Sequence, residues 1–168
     1  MKKAYLALIC LLALCACSKS SVKRFSGDYS FKTSGTLTVE RILPEGNSSI
    51  PTSFTVTLPN EIGQLEISAL NTDDDSVLVV MNTMGGEVIV THAYCDGNQI
   101  FLRDFVKSHR SFNFDNLFMD KDLQVSGQGE IFDDNTLIIN MTYQGEAHSN
   151  LMDYSLYGND IRMAATRN

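Results

Sequence analysis

Residues 76–103 read SVLVVMNT, MGG, EVIVTHAY, CDGN and QIFLR in order: three runs rich in β-branched and aromatic residues, separated by two glycine-containing turns. Such side chains favour the pleated backbone of a strand, and glycine supplies the positive φ that tight hairpins need. The stretch therefore predicts a three-stranded antiparallel meander. A sheet of this kind has two open edges, so the rest of the chain must extend it and close it.

Apolar and polar residues alternate on both sides of this stretch, and a period of two is typical of strands with one buried face. The clearest case is the hairpin 123–143, in which residues 132–136 (FDDNT) make the turn. The inward-facing residues that the alternation predicts are Tyr29, Phe31, Thr33, Leu37, Val39, Phe54, Val56, Leu58, Leu65, Ile67, Ala69, Leu123, Val125, Gly127, Gly129, Ile131, Leu137, Ile139, Met141, Tyr143, Tyr154, Leu156, Ile161, Met163 and Ala165.

Turn-forming residues divide these strands. We expect a bend or turn at Ser34-Gly35 and a turn at Gly158-Asn159, because glycine and asparagine tolerate the backbone angles of turns. Residues 104–120 follow neither a strand period nor a helix period and predict a long connection.

Two glycines, Gly127 and Gly129, fall on an inward face of the predicted sheet. Positions without a side chain leave a groove on that face, which residues elsewhere in the core must fill. We expect Tyr29, Phe31 or Tyr143 to fill this groove from the opposite wall.

These patterns predict an all-β domain over residues 27–168, with about eight to ten antiparallel strands joined mostly by short turns. A closed up-and-down β-barrel and a β-sandwich would both hide the sheet edges. Consecutive hairpins favour the barrel, because Greek-key connections need long crossovers and few loops here are long enough. The β-sandwich remains the alternative.

The N-terminal residues resemble a bacterial lipoprotein signal. Lys2 and Lys3 precede an apolar segment, 4–14, that is too short to span a bilayer as a mature helix. The sequence Leu14-Cys15-Ala16-Cys17 follows. It resembles the lipobox, at which a signal peptidase cuts before a cysteine that then carries lipid.

The resemblance implies a signal peptide at 1–16, a lipid on Cys17 and a lipidated tether at 17–26. Ser18, rather than aspartate, follows the cysteine. In the sorting rule of enteric lipoproteins this implies the outer membrane, with the lipid as the membrane partner.

Charge and cysteine usage restrict the function further. The chain has 13 basic and 20 acidic residues, a formal charge of −7, and loss of Lys2 and Lys3 with the signal lowers it to −9. Such a charge argues against nucleic acid as a partner. Of the 4 cysteines, only Cys95 would remain with a free thiol, which predicts neither an internal disulfide nor a cysteine metal cluster.

The ends of the predicted domain resemble the calycin superfamily, which includes the lipocalins. Gly27-Asp28-Tyr29 opens the first strand, and Arg162 or Arg167 lies in the last. Lipocalins carry a Gly-x-Trp at the first position, and an arginine from near the C-terminus packs across the tryptophan. Here Tyr29 takes the place of that tryptophan. The resemblance implies a lipid-anchored, lipocalin-like protein of unknown function.

The candidate ligand-binding residues lie mainly in the predicted long connection, because long loops in compact domains are often functional. They are Phe105, His109, Arg110, Phe112, Phe114 and Phe118. The alternative is that these phenylalanines plug one end of the barrel. His92 is the last candidate: it falls in phase with Val90 and Tyr94, so it either faces a ligand inside the barrel or is a hydrogen-bonded core or rim histidine.

The sequence contains no recognisable catalytic motif, cofactor motif or spaced set of metal ligands. Asp73-Asp74-Asp75 lacks the ligand spacing of a calcium loop and predicts a solvated turn. We therefore expect a non-enzymatic cell-envelope lipoprotein that binds a small apolar or amphipathic ligand in its barrel. The alternative is a protein–protein interaction or inhibitor module of the envelope, with a barrel filled by side chains.

Overall fold

Ten strands form one antiparallel sheet in the computed structural model, which describes residues 21–43, 53–71, 75–108, 122–148 and 152–168. The strands are β1 (Gly27–Ser34), β2 (Thr36–Arg41), β3 (Ser53–Thr57), β4 (Glu61–Ala69), β5 (Ser76–Thr83), β6 (Val88–Asp96), β7 (Gln99–Lys107), β8 (Leu123–Ile131), β9 (Thr136–His148) and β10 (Asp153–Arg167). The predicted meander is confirmed as β5, β6 and β7.

The sheet closes on itself. Eight strands follow one another in the order β1-β4-β5-β6-β7-β8-β9-β10, and β1 also pairs with β10, with Tyr29 opposite Arg167. The predicted all-β, up-and-down barrel is therefore confirmed, and the β-sandwich alternative is wrong. Closure leaves none of these eight strands with an open edge.

The remaining two strands, β2 and β3, extend the sheet beyond the barrel. β2 continues from β1 after a bend at Gly35 and pairs with the first half of β10, so the bend is not a hairpin turn. β3 pairs with β2 on its other side. Phe54, which we predicted to face inward, is 44% exposed on β3, where it packs edge-on against Tyr154 with ring centroids 6.3 Å apart.

The last strand serves both parts of the sheet. Residues 154–157 of β10 pair with β2 and residues 162–167 pair with β1. A β-bulge between Gly158 and Ile161 shifts the register where β10 changes partner. The turn predicted at Gly158-Asn159 is therefore wrong, and this glycine marks a bulge within one long strand.

A second bulge corrects the predicted long connection. It lies between Leu102 and Phe105 in β7 and breaks the alternation there. The strand then continues to Lys107, so the first residues of the predicted connection belong to the barrel wall. Phe105 is buried among the core residues.

A short helical segment, 21–25, covers one end of the barrel. Phe25 and Val22 from this segment are buried in the hydrophobic core. This segment lies within the predicted tether, 17–26, and packs on the domain. Among the described residues no helix has the length and hydropathy needed to cross a bilayer.

Tyr29 and Arg167 join the segment to the barrel. The Arg167 guanidinium lies 5.2 Å from the centroid of the Tyr29 ring. Its Nη2 donates to Tyr29 Oη at 2.7 Å and to the Arg24 carbonyl at 2.6 Å, while Tyr29 Oη donates to the Phe25 carbonyl at 2.7 Å. The packing implied by the lipocalin resemblance is thus confirmed for Arg167, and it closes this end of the barrel.

Large side chains fill the interior between the two ends, as expected for a barrel of this size. The fully buried ones are Phe25, Tyr29, Leu37, Leu65, Ile67, Ile100, Leu123, Leu137, Ile139, Met141, Leu156 and Ile161. The glycines of β8 are part of this packing, and their nearest neighbours are aliphatic residues rather than the aromatic ones that we predicted. A Cβ on Gly127 would lie nearest to Leu102, Ile139 and Met141 on the adjacent strands.

We expect Gly129→Val to lower the free energy of unfolding by about 1–3 kcal/mol through overpacking. A Cβ at Gly129 would lie 2.7 Å from both the Ile138 carbonyl oxygen and Ile139 Cγ1, and the former is backbone that cannot rotate away. Gln128→Val is the matched control on the exposed face and should change the stability by less than about 0.5 kcal/mol. Urea melts measure both, and equal stability of the two variants would contradict this packing.

Candidate functional site

The end of the barrel opposite the helical segment is polar. We call this end the mouth and define it by Glu61, Glu87, Lys107, Ser108 and Tyr143. Glu61 is the first residue of β4, Glu87 directly precedes β6, and Lys107 is the last residue of β7. Each of these three charged residues occupies the next inward-facing position of its strand, just beyond the apolar core.

Lys107 is the centre of the mouth. Its Nζ donates to Glu61 Oε1 at 2.8 Å and Oε2 at 2.9 Å, and to Glu87 Oε2 at 2.9 Å. The Ser108 amide donates to Glu87 Oε1 at 2.8 Å. The Lys107 side chain is 4% exposed, against 23% for Glu61 and 16% for Glu87. The ammonium group thus lies beneath the two carboxylates, and only the carboxylates reach the surface.

Two further polar side chains belong to this layer. Tyr143 is buried, and its burial together with the negative charges of Glu61 and Glu87 raises the pKa of its phenol above the ordinary value. The phenol therefore stays protonated and uncharged at physiological pH. Thr33 lies opposite Glu61 in the β1–β4 ladder, and its buried Oγ1 has no hydrogen-bond partner in the part of the chain that the structure describes.

A cavity of about 530 Å³ opens above this layer. Its floor includes both glutamates, while two exposed apolar side chains form one side: Met84 is 79% exposed and Ile62 is 45% exposed. A hydrogen bond of 2.9 Å from the Met84 amide to the Ile62 carbonyl holds these two residues side by side. The described lining residues are Pro59, Asn60, Glu61, Ile62, Thr83, Met84, Gly85, Gly86, Glu87 and Ser108. The mouth thus combines a polar floor with an apolar rim.

Comparison with known proteins supplies no function. No protein-family model matches the chain, and no curated protein matches it significantly. Its fold is similar to designed β-barrels. A redesigned β-barrel, b11L5F_LGL, is 9% identical over 88% of this chain and 95% of the other, with a TM-score of 0.49. EF1p2_mFAP2b, solved bound to DFHBI, is 11% identical over 90% of this chain and 99% of the other, with a TM-score of 0.46.

These similarities are too low to support an argument about ligands, so the function must be inferred from the chain's own residues. Within the described ranges, no group of three or more His, Cys, Asp or Glu side chains is arranged to hold a metal ion.

Of the predicted site residues, Phe105 and His92 are among the described residues, and neither lines the mouth. Phe105 lies in β7 and is buried in the core, where it cannot contact a ligand at the surface. His109, Arg110, Phe112, Phe114 and Phe118 lie outside the described residues, as does Cys17.

His92 faces outward, so the prediction that it could point into the barrel is wrong. The inward face of β6 carries Ile89, Thr91, Ala93 and Cys95, and His92 shares the exposed face with Val88, Val90 and Tyr94. Both faces of this strand are rich in apolar residues, so alternation did not identify the buried one. The two largest side chains of this strand, His92 and Tyr94, both lie on the exposed face.

The sequence analysis missed Glu61, Glu87 and Lys107 because charged residues next to turns are usually solvated. One signal was available. The alternation of Gly63, Leu65 and Ile67, extended backwards by one step, places Glu61 on the inward face. The same extension applies to Glu87 before Ile89.

Cys95 lies inside the barrel and should be unreactive in the folded protein. Burial, with a smaller contribution from the charge of Asp75, raises the pKa of its thiol to about 12 from 9.0. The reactive thiolate is therefore scarce at neutral pH. In a chain without residues 1–17, so that Cys95 is its one thiol, we expect reaction with a disulfide reagent at pH 8 to be at least about 100-fold slower in buffer than in urea. A fast reaction in buffer would contradict this burial.

The same thiol affects the pH dependence of stability. Between pH 9.0 and about 12 the unfolded state loses the thiol proton and the folded state keeps it. Since the folded state then binds more protons, the contribution of Cys95 to stability falls as pH rises through this window.

Proposed function

We propose that the protein is a non-enzymatic binding protein of the bacterial cell envelope, which holds a small amphipathic ligand at the mouth of its barrel. The observation that supports this proposal is the cavity of about 530 Å³ at the mouth, with its polar floor and apolar rim. The apolar side chains that fill the interior leave the mouth as the better place for a ligand. Ligand sites of this size typically combine apolar walls with a few polar groups.

A lipid on Cys17 would attach the protein to the outer membrane. Cys17 lies four residues before the helical segment 21–25, which covers the closed end of the barrel. A tether from that end would leave the mouth on the side of the domain that faces away from the membrane. In this orientation the ligand would enter from the aqueous phase.

The binding proposal is tested by native mass spectrometry of the protein purified from its own host. We expect a co-purified small molecule that is lost in Met84→Glu, which adds a charge to the apolar rim. Val90→Glu is the matched control, because Val90 is similarly exposed, at 59%, on the outer face of β6. If no small molecule accompanies the parent protein, or if both variants retain it equally, a ligand site at the mouth is ruled out.

The anchor is tested separately by Cys17→Ser. We expect this variant to leave the membrane fraction or to accumulate as an uncleaved precursor, because serine cannot be acylated at the lipobox. Processed Cys17→Ser protein that still needs detergent for extraction would contradict the assignment.

A second candidate function is a protein–protein module, and the edge of β3 favours it. In the described chain β3 pairs only with β2, so its outer backbone groups face no neighbouring strand. None of its five residues, Ser53–Thr57, is charged. An extended segment of a partner protein would add to such an edge through backbone hydrogen bonds.

Photo-crosslinking in the host tests this alternative. A crosslinking residue in place of Thr55 on β3 should give a discrete adduct, and one in place of the exposed Gln64 on β4 should not. Equal labelling at both positions, or none at Thr55, would dismiss the edge as a contact surface.

A further inference from the structure

We infer that the edge of β3 pairs with the same edge of a second copy of this chain, in an antiparallel two-fold dimer centred on Thr55. The inference is independent of the ligand proposed for the mouth, and it names the partner for the edge on which the second candidate function rests. Three observations carry it: the direction of the backbone groups along β3, the symmetry of the sequence around Thr55, and the absence of charge from this strand.

The pairing of β2 with β3 determines which backbone groups of β3 are already used. The Leu58 amide donates to the Gly35 carbonyl at 2.9 Å, and these two residues continue the β2–β3 register by one step. In an antiparallel ladder, pairs that exchange hydrogen bonds alternate with pairs that do not. Counting back from Leu58, Val56 and Phe54 therefore direct their N–H and C=O groups towards β2.

The other three residues of β3 direct their backbone groups to the free edge. They are Ser53, Thr55 and Thr57, and in the described chain no strand pairs with this side of β3. When two such edges run antiparallel with Thr55 opposite Thr55, Ser53 of each copy lies opposite Thr57 of the other. The three N–H and three C=O groups of each copy then form six hydrogen bonds, and none of these groups stays unpaired.

The sequence around Thr55 is nearly symmetric. Residues 51–59 read PTSFTVTLP. Two-fold pairing about Thr55 places proline opposite proline, threonine opposite leucine, serine opposite threonine, and phenylalanine opposite valine. Proline has no N–H to donate, so the ladder ends at the same point on both sides. The phenylalanine–valine pair is of the aromatic and β-branched kind that stabilises neighbouring strands. The strand is thus complementary to itself, as a two-fold interface requires.

Charge distinguishes this edge from the rest of the chain. The chain has a formal charge of −7, so two copies repel each other on most approaches. Edge strands of monomeric proteins commonly carry charged side chains that prevent edge-to-edge pairing, but none of the residues Ser53–Thr57 is charged. Phe54, which is 44% exposed, would be covered by Val56 of the second copy. The edge therefore offers hydrogen bonds and an apolar contact without opposing charge.

Analytical ultracentrifugation of the chain without residues 1–17 tests the pairing. A ladder of 5 residues buries little surface, so we expect a weak dimer whose mean mass rises from one chain towards two between about 5 and about 500 µM. Thr55→Pro removes an outward N–H and spares the bonds to β2, while Thr55→Lys adds a charge to the edge. Both variants should stay monomeric throughout this range. Gln64→Lys is the matched control: it adds the same charge to the exposed face of β4 and should dimerise like the parent.

Disulfide formation tests the register. Residues opposite each other in a hydrogen-bonded pair have Cα atoms about 5.5 Å apart, which a disulfide can span. Under mild oxidation, Thr55→Cys should therefore give at least about tenfold more linked dimer than Thr57→Cys, whose two copies would lie about 13 Å apart along the ladder. Cys95 is buried and takes no part.

A parent chain that stays monomeric at every concentration, or equal disulfide formation at positions 55 and 57, would overturn the two-fold pairing. So would a dimer that persists in Thr55→Lys or in Thr55→Pro, with circular dichroism to confirm that each variant is folded. If a crosslinker at Thr55 captures a different protein in the host while the purified chain stays monomeric, self-pairing is wrong and the second candidate function stands. Neither result affects the ligand proposed for the mouth.

Discussion

Lys107→Met is expected to lower the free energy of unfolding by about 2–4 kcal/mol. This is somewhat less than the roughly 3–5 kcal/mol typical of breaking a fully buried ion pair. Methionine keeps the length of the side chain but leaves two carboxylates facing each other without the ammonium group that pairs with both. Because Glu61 and Glu87 are partly exposed, water compensates for some of the loss. Urea melts at neutral pH measure the effect.

The control and the rescue distinguish this electrostatic cause from lost packing. Lys32→Met removes a charge from the exposed face of β1 and should change the stability by less than about 0.5 kcal/mol. Adding Glu61→Gln and Glu87→Gln to Lys107→Met should recover a large part of the lost stability, because the two carboxylate charges that faced each other are then removed as well. A triple variant less stable than the single one would show that the carboxylates do not cause the loss.

Gly63→Ala is expected to cost about 3 kcal/mol or more, at the upper end of overpacking effects. A Cβ on Gly63 would overlap the backbone oxygen of Asn82 on the adjacent strand β5, and would lie 2.8 Å from Phe31 Cε1 and 2.9 Å from Cζ. The ring can turn, but the oxygen cannot retreat without separating two strands of the barrel. Thermal and urea melts measure the loss.

Gly85→Ala is the matched control, because a Cβ there meets only Thr83 Oγ1 at 3.7 Å, an ordinary contact. It should stay within about 0.5 kcal/mol of the parent. Adding Phe31→Leu to Gly63→Ala should recover little, since the clash with the Asn82 backbone persists. Full recovery in that double variant would mean that the ring alone excludes a side chain at Gly63.

The sequence predicted the barrel strands β8 and β9 correctly, because one face of each is clearly polar. In β8 and β9, residues such as Gln124 and Asn140 mark the outer face, and Val125 and Met141 lie inside as expected. The last strand failed for a different reason. Its bulge between Gly158 and Ile161 coincides with a change of pairing partner, which is a tertiary event that no local pattern records.

The site was harder to predict than the fold. We predicted a functional role for the hydrophobic residues of 104–120. Phe105 instead belongs to the core, because a bulge in β7 shifts the alternation of inward and outward residues. Lys107 follows two positions later, so the same bulge hid its inward direction. Glu61, Glu87 and Lys107 lie far apart in the sequence and become neighbours only when the sheet curves into a barrel. Their spacing in the sequence does not predict this contact.

The pairing of β1 with β10 has a consequence for how the chain acquires its structure. Tyr29 meets Arg167 across almost the whole length of the chain, so the contact that closes the barrel has very high contact order. Such contacts form late and slowly, because a long loop must be ordered first. During synthesis, β1 cannot pair with β10 until the residues of β10 have left the ribosome. A chain that crosses a membrane before folding would therefore lose nothing by the delay, since β10 is the last strand of the sheet to cross.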